Sequence, residues 1–98
     1  MLGVMGVARP DVVKTTIEPG DFGGNMDCKE MTVGARVFLP VLVEGALFSV
    51  GDAHGCQGDG ELCVPIETAM TGLLQFFVHD DRPVEGPQVE TKDAYMTI

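Results

Sequence analysis

The sequence predicts a mainly β domain with little helix, a β-rich α+β arrangement built on sheets with mixed strand pairing. Three observations carry that expectation. The apolar residues fall in short runs rich in Val, Leu and Phe rather than in long amphipathic stretches. Turn signals built on Gly, Pro and Asp separate those runs throughout. The length of 98 residues suits one compact domain, residues 1–98, and leaves little material to cover a sheet on both faces.

Taken in order, Val4–Ala8 and Val12–Ile17 contain β-favouring residues and flank the turn signal Arg9-Pro10-Asp11. Glu18-Pro19-Gly20-Asp21 is a second turn, which leads into Gly23-Gly24-Asn25-Met26-Asp27. Thr32–Val43 reads as a strand, with Pro40 requiring an edge position or a bulge. Glu44-Gly45 then turns the chain, and Ala46–Val50 is expected to return beside Thr32–Val43 as a hairpin. Leu62–Thr68 and Thr71–His79 are further strands, with a short helix over Pro65–Leu74 as the competing assignment. Asp80–Gln88 holds Pro83, Gly86 and Pro87 and reads as a loop, after which Val89–Ile98 closes as a last strand.

Charge excludes several function classes. The net charge of −9 provides no basic patch for nucleic acid or an anionic membrane. Residues 1–49 hold 4 basic and 6 acidic groups, whereas residues 50–98 hold 2 and 9, so a bound cation would relieve repulsion in the second half. Met1–Ala8 is apolar but short and lacks a basic leader, which does not fit a signal peptide. The longest apolar run is interrupted by Arg36, Pro40, Glu44 and Gly45, too often to span a bilayer. Cys28, Cys56 and Cys63 form an odd, unpatterned set, consistent with reduced thiols in the cytoplasm.

The densest chemistry lies in Gly51-Asp52-Ala53-His54-Gly55-Cys56-Gln57-Gly58-Asp59-Gly60-Glu61, expected as a loop fed by the preceding strand. In extended geometry residues two apart point to the same side, so Asp52 and His54 can face one cation. Asp27 can add a third ligand from the upstream knot, leaving a position open for water as in catalytic zinc sites. Spacing alone equally allows Asp52 to be a turn residue and His54 a surface histidine.

The stretch from Asp21 to Phe77 resembles the acetamidase/formamidase family of metal-dependent amide hydrolases. The residues that carry the likeness are GGNMDCKEM, then VFLPVLVEGALFSVGDAHGCQGDGELC, then PIETAMTGLLQF. Departures are few: the family pattern has Thr or Asn where Cys28 stands and small alanines where Gly55 and Cys56 stand. Members are much longer, so this chain corresponds to an internal core segment. The resemblance favours Asp27, Asp52 and His54 as ligands of a divalent metal, zinc, over the structural alternatives.

If a metal-bound water is the nucleophile, a carboxylate must accept its proton and later protonate the leaving amine. Glu61 is the first choice and Glu67 the second; the alternative for either is a ligand role or an ion pair with Arg36 or Lys29. Asn25 and Gln57 carry neutral amides able to stabilise an oxyanion or hold a substrate amide, although Asn25 also suits a simple turn role. Asp59, between glycines, reads as a turn former and Lys29 as solvated. Cys56 beside His54 raises a nucleophilic cysteine, a minority reading because metal ligation competes for the same ring. Cys28, Cys63 and the scattered methionines read as core fillers.

The resulting expectation is hydrolysis of C–N bonds in small linear amides such as formamide, releasing ammonia. The alternative is a non-catalytic family segment serving as a structural, interaction or metal-binding domain. The apolar stretches Val37–Val50 and Leu73–Val78 exceed what so small a chain can cover. A homo-oligomer, most simply a two-fold dimer, is therefore expected.

Overall fold

A computed structural model describes residues 1–15, 17–62 and 65–98. Seven strands form among them: β1 (Leu2–Gly6), β2 (Gly23–Asn25), β3 (Arg36–Phe38), β4 (Ser49–Cys56), β5 (Ile66–Glu67), β6 (Gln88–Glu90) and β7 (Tyr95–Thr97). They make a four-stranded sheet in the order β2-β1-β4-β5 and a three-stranded sheet in the order β3-β6-β7. The described residues contain no helix, including at Pro65–Leu74, so the mainly β expectation holds.

Pairing is antiparallel at every ladder, which corrects the expectation of mixed pairing. Parallel neighbours need a long crossover, usually a helix, and the described residues of these connections contain none. The expected Thr32–Val43/Ala46–Val50 hairpin is also absent. Instead β3 pairs with β6 through Val37 and Val89, and β4 pairs with the central strand β1 through Val4 and Gly51. Two local causes explain this. Pro40 has no amide hydrogen to extend β3. A two-residue hairpin turn wants positive φ at both central residues, or glycine first. Here glycine is second, and positive φ falls on Gly45, Ala46 and Leu47 instead, at 75°, 55° and 51°.

Elsewhere strands are shorter than their apolar runs. No strand forms in the described part of Val12–Ile17, nor in Thr71–His79. The Leu62–Thr68 assignment contracts to β5, and Cys63 and Val64 lie outside the described residues. Val89–Ile98 becomes two strands rather than one, because the Thr91 hydroxyl accepts from the amides of Asp93 and Ala94 at 3.2 and 3.0 Å and closes a β6–β7 turn.

The core joins the two sheets. Met5 on β1, Val89 on β6 and Met31 on the intervening loop are buried together, and Leu2, Met26, Cys28, Val37, Phe48, Leu74 and Met96 pack around them. The filler role expected for Met5, Met26, Met31, Met96 and Cys28 is what is seen, while Met70 is exposed. Gly23 has φ +88° where β2 meets β1, and a side chain there would overlap the Met5 carbonyl. So small a core has little reserve. Met31→Ala should therefore cost about 2–5 kcal/mol, read as a lowered denaturant midpoint, whereas Val33→Ala at a fully exposed site should shift it by no more than about 0.5 kcal/mol.

Candidate metal centre

The centre of the larger sheet is unusual in having no side chain at its middle position. Continuing the β1–β4 register places Gly3 opposite Asp52, between the Leu2–Ala53 and Val4–Gly51 partners. A Cβ on Gly3 would lie 2.5 Å from Asp27 Oδ1 and 2.8 Å from His54 Cε1, and would overlap Asp52 Oδ2. The three expected ligands therefore converge on the space that this glycine leaves empty. Their ligand atoms lie within 4.8 Å of one another.

Each is positioned by the backbone. β4 does not end at Asp52, as a loop reading requires, but runs through to Cys56. Asp52 interrupts its extended course with φ 56°, a left-handed conformation that aspartate tolerates better than most residues. His54 is held by reciprocal hydrogen bonds to the first residue: its amide donates to the Met1 carbonyl at 2.9 Å, and the Met1 ammonium donates to its carbonyl at 3.1 Å. On the other side of β1, the Gly3 carbonyl accepts from the amides of Met26 and Asp27 at 3.0 and 3.1 Å. Asp27 follows with φ 44°, a second aspartate in the left-handed region.

The imidazole is oriented for ligation. His54 is 1 % exposed, and its Nδ1 lies 2.9 Å from the Asp52 carbonyl oxygen, which can only accept. The ring proton therefore sits on Nδ1, and Nε2 faces the carboxylates with its lone pair. Nε2 has no hydrogen-bond partner, and neither has the buried Asp27 Oδ1. Buried polar atoms are almost always partnered, so two orphans facing one space are what a cation's donor set looks like without the cation. Carboxylate oxygen with imidazole nitrogen suits a divalent metal of the zinc type.

Electrostatics agree. Burial, followed by the neighbouring carboxylates of Glu61 and Asp52, pushes the Asp27 carboxyl up to about 6. Burial alone would lower the His54 pKa, but the hydrogen bond to Asp52 and the charges of Asp52 and Glu61 leave it raised. Lys29, the nearest basic residue in sequence, pairs with Asp59 at 2.6 Å and Glu30 at 3.7 Å. Arg36 pairs with Glu90. Among the described residues neither pairs with Glu61 or Glu67, and Asp59, in a turn with Gly60 as expected, also pairs with Lys29.

Glu61 borders the cluster, with Oε2 3.5 Å from His54 Nε2. Gln57 donates from its amide nitrogen to the same Oε2 at 3.0 Å and to the Asp27 carbonyl, while its own Oε1 is buried without a partner. Glu67, opposite His54 in the β4–β5 register, is exposed and completes a second group of ligand atoms with His54 and Glu61. Asn25 ends β2 opposite Val4. Cys56 is exposed, whereas the His54 ring nitrogens lie against the Asp52 carbonyl oxygen and the carboxylates of Asp52 and Glu61. The residue that the sequence reading missed is Gly3. A glycine inside the apolar run Leu2–Gly6 signals close approach of another group, although nothing in that run says which.

The sequence profile of the Acetamidase/Formamidase family matches residues 6–94. The chain belongs to that family. The acetamidase of Mycolicibacterium smegmatis is 49 % identical over 65 residues, covering 64 % of this chain and 16 % of its own length. The formamidase of Methylophilus methylotrophus is 50 % identical over 65 residues, with the same coverage of 64 % and 16 %. A crystal structure of a recombinant predicted acetamidase/formamidase from the thermophile Thermoanaerobacter tengcongensis superposes with a TM-score of 0.90 at 42 % identity, covering 94 % of this chain and 31 % of that one. The match thus spans about a sixth of the length of these two relatives.

The raised Asp27 pKa has a measurable consequence. The folded chain holds a proton that the unfolded chain releases, so stability falls as pH rises from the ordinary value of 3.8 towards 6. The raised His54 pKa acts in the same direction at higher pH, since its contribution is complete below 6.5 and is lost above. In metal-free buffer Asp27→Asn should unfold at a higher temperature than the wild type near about pH 7 and lose that advantage near about pH 4. Parallel melting profiles would remove Asp27 from the strained cluster.

Proposed function

We propose that this family segment carries the metal centre and general base of a hydrolase acting on small linear amides such as formamide and acetamide. The observation that supports it best is the convergence of Asp27, Asp52 and His54 on the space at Gly3, with His54 Nε2 and Asp27 Oδ1 unpartnered. When bound there, a divalent ion such as zinc supplies Lewis acidity toward a carbonyl oxygen and acidifies a water. Asp27, Asp52 and His54 hold it, and the Asp52 carbonyl fixes the histidine tautomer.

The remaining chemistry falls to the residues around that centre. Glu61 Oε2, held by Gln57, accepts the proton from the attacking water and returns it to the departing nitrogen. Gln57 is a positioning residue on its donor side, and its free Oε1 can accept from the substrate's amide nitrogen. Asn25, two residues before Asp27, is the proposed donor to the developing oxyanion. Asp52 also lines a cleft of about 330 Å³ whose walls include Leu2, Val50, Met70 and Leu74. Its apolar sides and modest volume suit a short acyl amide without charge. The free thiols of Cys28 and Cys56 fit a cytoplasmic setting.

A metal-binding but non-catalytic segment is the second reading, favoured by the 16 % span relative to whole enzymes. Elemental analysis and ammonia release from formamide separate the two. His54→Ala should lose stoichiometric zinc, and retention of full metal content would remove His54 from the ligand set. Glu61→Gln should keep the metal and slow ammonia release by ~10²-fold or more; unchanged turnover would shift the base to Glu67, and loss of zinc would make Glu61 a ligand. Zinc-loaded wild type without turnover supports the non-catalytic reading. Gly3→Ala offers a check that changes no ligand residue but displaces them: zinc affinity should drop by about 10–100-fold while the sheet's circular dichroism persists.

A further inference from the structure

Beyond the metal centre, the largest unexplained feature is the segment from Ile66 to Val78. It is anchored at Leu74, which packs on the core; the Phe76 ring meets Phe48 edge-on at 5.0 Å but is itself 66 % exposed. Its outer side is bare, with Leu73 99 %, Phe77 70 % and Val78 84 % exposed, and Ile66 and Met70 also outside. The sequence Leu73-Leu74-Gln75-Phe76-Phe77-Val78 is strand-forming, yet no ladder and no backbone hydrogen bond among the described residues holds residues 69–79. An apolar, unpaired stretch of this kind is a ready edge for another strand.

We infer that residues 66–78 are a docking edge for the part of the Acetamidase/Formamidase fold that residues 1–98 do not represent, received as an apolar strand laid along Leu73, Phe77 and Val78. The solved relative supplies the reason for that occupant. It reproduces 94 % of this chain at a TM-score of 0.90, but within a chain of which the match is only 31 %, so the same surface exists there amid much additional polypeptide. Charge supports the choice over a second copy. Glu67, Asp80, Asp81 and Glu85 flank the strip in a chain of net charge −9, so two copies would bring like charges together. A partner strand with basic residues at its ends is complementary. The same occupant would wall the half-open cleft at Asp52, which Thr68, Ala69, Met70, Gly72 and Leu74 line from this segment. The inference rests on exposure and family membership, not on the metal.

The test uses the 98-residue chain and the portion of the Thermoanaerobacter tengcongensis protein outside the match, expressed separately. Light scattering after mixing should give a one-to-one complex, and hydrogen exchange should show new protection over residues 71–78. The double change Phe77→Asp with Val78→Asp, at exposed positions, should weaken association by ~10²-fold or more. No complex, or one indifferent to the double change, overturns the inference. A homodimer of the isolated chain protecting residues 71–78 also overturns it, in favour of a second copy. Should the separate portion not fold, residues 1–98 replace the matching segment within that relative. The double change should then lower the melting temperature of this chimera while leaving the isolated chain's unchanged; equal effects in both overturn the inference. Metal content reports separately on the proposed function.

Discussion

Gly3 is the constraint on which the site depends, because a hydrogen atom in place of a side chain lets two neighbouring strands aim polar groups at the same point of a sheet. In an ordinary antiparallel sheet that point would be filled by the central strand's own residue. Here the vacated volume admits Asp27 from the β2 side and Asp52 and His54 from the β4 side. The backbone is bent to the purpose as well. Both aspartates adopt left-handed φ, which costs free energy in a non-glycine residue and is retained where surrounding contacts impose it. The Gly3 carbonyl contributes to that imposition by capturing the amides of Met26 and Asp27.

Much of this was legible in the residues, but not all of it by the same route. The two-residue spacing of Asp52 and His54 follows from strand periodicity, and it brought them together even though Asp52 departs from extended geometry. Asp27 lies on a distant segment, and only the family likeness could join it to the others. Gly3 is not legible in the same way, because a glycine in a strand announces close approach without naming the visitor. The Thr32–Val43 hairpin failed for a different reason. Propensity identifies which stretches prefer to be strands, whereas pairing is decided by turn geometry, and the positive φ values fell one residue too late for a tight return. Likewise Thr71–His79 has strand composition but no neighbour among the described residues to pair with.

The distribution of apolar groups explains why composition was a better guide to class than to detail. Three residues, Met5, Met31 and Val89, form the buried cluster that ties the sheets together, while Leu73, Phe77, Val78, Val13 and Val33 stand in water. A chain of this length buries a modest fraction of its surface in any case. What remains outside is not scattered singly, as on an ordinary monomer, but includes one continuous stretch beside the cleft that Asp52 lines. The convergence of the three candidate ligands is therefore self-contained, since all three come from this chain, whereas the cleft wall is open on one side.

These two properties divide the physics of binding from that of turnover. On the proposed reading, holding a cation requires only that Asp27, Asp52 and His54 stay converged, and burial with like charge already raises the Asp27 pKa to about 6. A divalent ion reverses the sign of that contribution, because it stabilises the charged form that burial opposes, and the gain is returned to the fold as stability. Turnover asks for more. A nucleophilic water gains most from a site that excludes bulk solvent, since fixed dipoles act more strongly at low dielectric. Glu61 and Gln57 are hydrogen-bonded to each other, so the orientation that the proposed turnover needs lies within this chain, whereas the exclusion of water would depend on what covers the segment from Met70 to Leu74.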